Sequence, residues 1–514
     1  FSEIIRENYV YIDKTDLVWK LQDYGKYIFL SRPRRFGKSL LSTTLHSYFS
    51  GERELFEGLK IMQLEHEWRR YPVFHVDLST AKSQASAEAL QARLMLMLDD
   101  YAEVYGRKDT EQTPGALLQG LITRAYRQTG SRVVIIIDEY DAPLLEVLHD
   151  ESVLPGMRRV MQEFYQPLKA CEGMVRFCFI TGITKFSQLS IFSTLNNLTN
   201  VTMDPAFSAI CGITEEELST AMASDIGLLA SACGCSPSEM HARLKQRYDG
   251  YHFSEDSPEV YNPFSLLRAF RHRKLSNYWF ETGTPTFLIR QMQRFRTDIT
   301  SMERMEVFAS AFDLPTENMP DALPLLYQSG YLTIKGYEPE TQLYTLSIPN
   351  QEVRLGLVEG LIPAYLGLRP GDVQAGFALK FWRALRQGDL DLGLRQMQSF
   401  LAGIPYVEGF RRKLADAATA EGFYEYTFYL VFSMLNAYVQ TQVKCAGGRT
   451  DMVVWMPDAI YVLELKVHGT AAEALSQIES RGYAAQFASD GRRVVKAGLH
   501  FDIASRTLDD WAIA

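Results

Sequence analysis

Two sets of residues in this chain have types and spacing that could do chemistry. In the first, Gly37-Lys38-Ser39 follows the basic run Arg32-Pro33-Arg34-Arg35-Phe36. Backbone N–H groups along Arg34, Arg35, Phe36, Gly37, Lys38, Ser39 and Leu40 would cradle phosphates. Lys38 would reach the β- and γ-phosphates, and Ser39 would ligate Mg²⁺. The plainer alternative is a surface turn of Pro and Arg before an ordinary helix, and Arg32 fills the slot where the full loop pattern opens with Gly. Asp138-Glu139 favours the phosphate loop: Asp138 would hold Mg²⁺ through its hydration shell, and Glu139 would polarise an attacking water. A strand-to-loop cap is the bland reading of that pair. The second set is Asp451, Glu464 and Lys466. Two carboxylates with a nearby lysine can hold one or two divalent metals, Mg²⁺ or Mn²⁺, and orient a water for in-line attack on a phosphodiester.

Each set needs elements to position it. Tyr27-Ile28-Phe29-Leu30 is a hydrophobic strand running into the loop, and Leu40–Leu45 reads as the helix behind it. Val133–Ile137 is an unbroken β-branched run, typical of a strand buried on both faces. Its C-terminal end delivers Asp138-Glu139 to the crevice where parallel sheets bind ligands. Val73–Asp77 and Arg176–Ile180 fit the same sheet, with helical stretches between them, so the fold class is α/β with a doubly wound, largely parallel sheet. Beyond the last of these strands, Thr181 or Thr184 could sense the γ-phosphate or cap the strand.

In the second set, Gly448–Val454 and Ala459–Lys466 read as two strands. Residues two apart share a face, so Glu464 and Lys466 point the same way while Leu465 packs behind. A helix over Ala474–Ile478 would bring Gln477 towards the metal edge, and Glu421, at the start of an upstream helix, would supply a further acid. Glu-x-Lys alone is commonly a solvated face. Its spacing from Asp451 and the helix that follows point instead to a nuclease fold.

The bulk properties bound the rest. At 514 residues, 46% hydrophobic and 22% charged, the chain has an ordinary globular composition with room for about three domains. No apolar stretch approaches the roughly 18–20 residues that span a membrane, and no signal-like segment opens the chain. It starts at Phe1 without Met, so further N-terminal residues are expected. A net charge of −9 argues against non-specific coating of nucleic acid, and residues 401–514 carry eleven basic against thirteen acidic side chains. Contact with nucleic acid must then come from local clusters such as Arg411-Arg412-Lys413 or Arg492-Arg493 with Lys496, which solvated faces explain equally well. Six cysteines without a CxxC pair read as free thiols in a reducing cytoplasm.

Along the chain, an NTPase core is expected over 1–205. A helical lid over 206–360 follows, with one capping box at Thr214 and Glu217, a second at Ser236 and Glu239 with Pro237 at the first helical position, and a helix start at Asn262-Pro263. A helix near Leu323–Ser329 followed by a hairpin suggests a winged-helix-like element, either a DNA-binding module or a structural part of the lid. Residues 361–405 read as a helical linker broken at Gly388-Asp389, and 406–514 as the nuclease-like domain.

The chain resembles the bacterial proteins that join a predicted AAA-like ATPase domain to a C-terminal PD-(D/E)xK nuclease domain. The resemblance rests on Tyr11-Ile12-Asp13-Lys14-Thr15, the Ser31–Ser39 loop, Asp138-Glu139-Tyr140-Asp141-Ala142-Pro143, Thr184-Lys185-Phe186-Ser187, Asn196-Asn197-Leu198, Tyr248-Asp249-Gly250-Tyr251 and Tyr261-Asn262-Pro263-Phe264. It makes Arg32 a family variant of the loop. It implies that Asp451, Glu464 and Lys466 form the nuclease triad, with Gln477 and Tyr483 in the following helix and Glu421-Gly422-Phe423-Tyr424 as the acidic helix. The chain departs from the family at Glu425, where His is expected.

The resulting expectation is a protein that binds and hydrolyses ATP with Mg²⁺ and controls or drives a metal-dependent nuclease. Its setting would be defence against foreign nucleic acid, DNA before RNA. A homo-oligomer is expected, since a neighbour often supplies an arginine to such sites, although Arg34 or Arg35 could serve in cis. The alternative is a signalling or DNA-binding ATPase whose nuclease-like domain does not cut.

Overall fold

The computed structural model describes residues 1–514 apart from 83, 85, 146, 148–149, 151, 185–196, 281–287, 289–290, 293–294, 296–301, 303, 315–318, 358–379, 382, 386, 403–423, 425–426, 429–430, 432–437, 446–447, 457–458, 503 and 506. Two compact units result. The first comprises Phe1–Trp279, Gln291–Thr297 and Arg304–Asn350; the second comprises Phe280–Arg290, Asp298–Glu303 and Gln351–Ala514.

The first unit is built on strands β1 (Tyr27–Ser31), β2 (Val73–Asp77), β3 (Val133–Asp138), β4 (Val175–Gly182) and β5 (Leu198–Asn200). They pair in parallel in the order β2-β3-β4-β1-β5. Every residue of β1 and β3 is buried, because helices cover both faces of the sheet. The helix Ala87–Tyr105 lays Leu90, Leu94 and Leu98 into that core at a four-residue spacing, and the helices Pro114–Thr129 and Leu154–Ala170 add Leu117, Leu121, Met157 and Met161. All five strands run the same way, with β4 alone between β1 and β3. The loop after β1 and the carboxylates after β3 therefore emerge at the same edge.

The remainder of this unit is helical, with two small sheets. Strands β6 (Ile213–Thr214) and β7 (Val260–Tyr261) pair beside the helices Glu215–Ala221, Ala223–Ala232, Pro237–Tyr248 and Pro263–His272, which share a separate core. The start signals act as the sequence suggests except at Ser236, where the Glu239 side chain pairs with Arg243 and leaves a simple N-cap in place of the second capping box. Thr214 and Glu217 close a reciprocal capping box, the Ser236 side chain accepts from the Glu239 N–H, and Asn262 accepts from the Ser265 N–H. Further on, the helix Leu323–Gln328 precedes an antiparallel sheet ordered β8-β10-β9, made of β8 (Met305–Val307), β9 (Thr333–Glu338) and β10 (Leu343–Ser347). This is the winged-helix-like element.

The second unit centres on a mixed sheet in the order β11-β12-β13-β14-β15: β11 (Tyr438–Cys445), β12 (Gly448–Trp455), β13 (Ala459–Lys466), β14 (Arg493–Asp502) and β15 (Thr507–Ile513). Only the β13–β14 pair is parallel, and the helix Ala471–Ser480 makes the crossover between those strands. Gly498 on β14 permits the close approach of that helix, since a Cβ there would sit 2.2 Å from the Ala471 carbonyl oxygen. Upstream, Gly388 (φ +75°) precedes the helix Leu390–Ala402, and the Asp389 carboxylate accepts from the Leu392 N–H at 2.9 Å, at the break expected from the sequence. Among the described residues, no helix is long and apolar enough to cross a membrane.

Candidate active sites

The loop after β1 turns into the helix Lys38–Phe49 at Gly37, whose φ is +94°. A Cβ at Gly37 would meet nothing within 4 Å, so the backbone angle and not crowding calls for glycine. The loop's own backbone holds Lys38. Its Nζ donates to the carbonyls of Arg32 and Pro33, both at 3.0 Å, and only 5% of the residue is exposed. Burial pushes the ammonium down from its usual value, and Glu139, Asp141 and Asp138 oppose that shift.

Arg32 explains its own departure from the loop pattern. Its guanidinium turns inward, donating to the carbonyls of Ser31 (2.9 Å), Thr202 (2.7 Å) and Phe207 (3.1 Å), and lies 4.2 Å from the centre of the Phe253 ring. Burial lowers its pKa to about 10, which leaves it charged at neutral pH. Arg32 thus braces the loop from behind. Phe36 does the same with an apolar ring, fully buried edge-on against Tyr251 and Phe253.

The structure brings Ser39, Lys38, Asp138 and Glu139 together. Asp138 is 2% exposed and hydrogen-bonded to Ser39, and its carboxyl is raised by burial against the pull of that bond and of Lys38. Glu139 adopts the left-handed backbone conformation (φ +49°), and its Oε2 lies 2.5 Å from Lys82 Nζ. Other residues named from the sequence lie elsewhere. Thr181 sits inside β4 with its hydroxyl donating to the Leu30 carbonyl at 2.7 Å, so of its two open roles it plays the strand-bracing one. The Thr184 hydroxyl donates to Asp141 at 2.7 Å. Arg34 is exposed on the loop, and the Arg35 guanidinium stacks 3.6 Å from the centre of the Phe264 ring.

Two participants escape sequence reasoning. Asp141, fully buried, accepts from the N–H groups of Ile183 (3.1 Å) and Thr184 (2.7 Å) and so ties the end of β4 to the carboxylate turn. Its place in Asp138-Glu139-Tyr140-Asp141 was a signal without a role attached. Lys82, after β2, carried no signal, because only the parallel pairing of β2 with β3 brings it to Glu139. Beside the loop lies a largely apolar cavity of about 140 Å³, smaller than most small-molecule sites. Tyr11, Ile12, Leu40, Leu41, Ile213 and Pro263 are among its walls.

In the second unit the carboxylates converge across β12 and β13. Glu464, 2% exposed, accepts from the Asp451 N–H at 3.3 Å and lies 3.4 Å from the Thr450 hydroxyl. Asp451 accepts from the Leu465 N–H at 2.8 Å. The Gln477 side chain donates to Glu464 from the crossover helix, and Lys466 Nζ stands 3.7 Å from the same carboxylate. Burial raises Glu464 to about 7, with Asp451 adding to the shift, and burial also raises Asp451. Tyr483 corrects one expectation: the helix ends at Ser480, and Tyr483 follows the left-handed Gly482 (φ +65°), its hydroxyl 3.4 Å from the Gln477 amide. Glu421 and Arg411-Arg412-Lys413 lie outside the described residues.

Both donor sets fit hard cations. Carboxylate oxygens, joined by the Ser39 hydroxyl at the first site, are the hard donors that such cations favour, and burial raises both Asp451 and Glu464 at the second.

Comparison with known proteins agrees with this architecture. The family described as "Predicted AAA-ATPase" matches residues 1–192, and the "PD-(D/E)XK nuclease superfamily" matches residues 419–511. The chain is 33% identical over 518 residues to an Azotobacter chroococcum mcd 1 protein described as "Uncharacterized protein in vnfD 5'region", covering 98% of this chain and 95% of that protein. A solved structure of Drosophila ORC bound to poly(dA/dT) DNA and Cdc6 aligns at 14% identity over 82% of this chain and 69% of that one. Its TM-score is 0.26, too weak to bear on fold or ligand. The chain belongs to the family that joins a predicted AAA-ATPase domain to a PD-(D/E)XK nuclease superfamily domain in one polypeptide.

Proposed function

We propose that the chain binds and hydrolyses ATP at Lys38, Ser39, Asp138 and Glu139, and uses that cycle to control or drive a nuclease centred on Asp451, Glu464 and Lys466. The observation that carries the reading is the convergence of Asp451, Gln477 and Lys466 on the buried Glu464. Asp451 and Glu464 would hold a divalent cation, which supplies charge neutralisation and a more acidic water, and Ser39 and Asp138 would hold one beside the triphosphate. Gln477 fixes the rotamer of Glu464, and Lys466 offers positive charge to the phosphate as charge builds on it. At the other site, Lys38 must leave the Arg32 and Pro33 carbonyls to reach a triphosphate, and Glu139 orients the attacking water.

The division of labour follows the chain: an ATPase core over 1–205, a lid with its winged-helix-like element over 206–360, a helical linker over 361–405 and the nuclease over 406–514. The substrate is nucleic acid, DNA before RNA, and the setting is defence against foreign nucleic acid by a homo-oligomer in the cytoplasm. The test is cleavage of DNA and RNA panels by purified protein with ATP and Mg²⁺ or Mn²⁺. If every substrate survives, and Asp451→Ala behaves as the unmodified protein in cells, the reading fails.

A second reading, a signalling or DNA-binding ATPase with a non-cutting nuclease fold, draws on the engagement of sequence-nominated basic residues inside the second unit. Arg492 pairs with Asp490, Arg493 donates to the Gly388 carbonyl, and Lys496 pairs with Glu479. It requires Glu139→Gln to abolish the cellular phenotype while Glu464→Ala leaves it intact.

A further inference from the structure

The helix Ala471–Ser480 has two faces. Ala471, Ala474 and Ile478 are buried under it, while Ser476, Gln477 and Ser480 line a solvent-open polar cleft of about 580 Å³ together with Arg481 and Gly448. The cleft is continuous with the carboxylate cluster, because Gln477 both lines it and donates to Glu464. Its far wall is bare at Gly448, where a Cβ would stand 3.3 Å from the Tyr483 hydroxyl and narrow the channel. The acid on its rim, Glu473, turns back to accept from the Thr470 N–H at 2.9 Å in a capping box. The Arg481 guanidinium, exposed at the cleft, makes no ion pair among the described residues, unlike Arg492 and Lys496.

We propose that this cleft takes the sugar–phosphate backbone of a nucleic-acid strand beside the scissile phosphate, with Arg481 gripping a phosphate and the Ser476 and Ser480 hydroxyls donating to its oxygens. The proposal rests on the nuclease reading for its direction, since Gln477 marks where the strand meets the carboxylates. The chemistry is that of an unpaired guanidinium with small donors in a groove wide enough for a polymer, and such contacts carry affinity and salt dependence without reading bases.

The experiment measures binding of a fluorescein-labelled oligonucleotide, single-stranded and duplex, to the full chain by anisotropy across a salt series, with Ca²⁺ in place of Mg²⁺. Arg481→Ala should weaken binding roughly tenfold at low salt and reduce the slope of log affinity against log salt by about one. Arg481→Lys should keep that slope, and Ser480→Glu should weaken binding in the same direction as Arg481→Ala. Unchanged affinity and slope in Arg481→Ala and Ser480→Glu, with unaltered melting temperatures, would overturn the assignment. Failure of the unmodified chain to bind any oligonucleotide would do so as well. Cleavage by the unmodified chain, followed separately with Mg²⁺ or Mn²⁺, reports on the nuclease reading, so the two ideas can fail independently.

Discussion

At the loop after β1 a buried cation is held by its own backbone, whereas in the C-terminal sheet a buried anion is held against another anion. Lys38 donates to two carbonyls and faces Asp138, Glu139 and Asp141, which offset part of the burial that lowers its ammonium. Glu464 has Asp451 beside it and the nearest ammonium 3.7 Å away, and its carboxyl rises to about 7. In the first site, opposite charges offset part of the burial cost at Lys38 and at Asp138. The second stores an electrostatic cost that a divalent cation would relieve. The contrast implies that nucleotide must compete with internal hydrogen bonds, while metal must compete with protons.

The predictions probe that contrast in descending size. Asp451→Ala or Glu464→Gln removes half of the paired donor set, and cleavage should fall by roughly a thousandfold or more, read as initial rates on a labelled oligonucleotide. Loss of less than tenfold would mean that the anionic pair is not the reacting centre. Lys38→Ala should weaken nucleotide binding by about a hundredfold, measured by titration calorimetry, since it removes the charge that meets the phosphates.

Arg32→Met should destabilise the first unit by about 2–4 kcal/mol in denaturant melts, because it strips the donors from three buried carbonyls. Nucleotide affinity should fall with it, as the loop loses its brace.

The metal-free second unit should show the proton competition directly. A carboxyl raised above its unfolded value contributes stability that is full below the ordinary glutamate range and is lost as pH rises through about 7. Melting in chelator should therefore be higher at pH 5.5 than at pH 8, by the equivalent of roughly 2–3 kcal/mol, and Glu464→Gln should flatten that dependence. The smallest effect is expected at Lys82. Its ion pair occupies the Glu139 carboxylate, so on the proposed ATPase reading Lys82→Ala should raise basal ATP turnover by about threefold; a drop would make Lys82 part of the catalytic arrangement instead.

How much was legible in the chain depends on how each site is encoded. The nucleotide loop is contiguous, so strand, turn and helix can be read together from Tyr27 to Leu45, and the β-branched run to Ile137 announces the strand that carries Asp138. The carboxylate site is split over two strands and a helix, yet period-two alternation placed Glu464 and Lys466 on one face before any fold was known. Thr181 resisted such reading: whether a hydroxyl at a strand end faces a ligand or the Leu30 carbonyl depends on β1, which lies far from it in sequence. The basic residues Arg493 and Lys496 stayed open between two readings for the same reason, since Gly388 and Glu479 meet them only after packing.

Residue type and local period thus determined the α/β class and nominated most of the residues that meet at the two candidate sites. Tertiary structure alone decided which charges are spent internally and which remain for a ligand. Arg32 turned from a broken motif into a brace, Lys82 became the partner of Glu139, and Arg481 was left exposed at a cleft. The reason is physical: hydrogen bonds and ion pairs act over a few ångströms, and strand register and helix docking set which distant residues come within that reach.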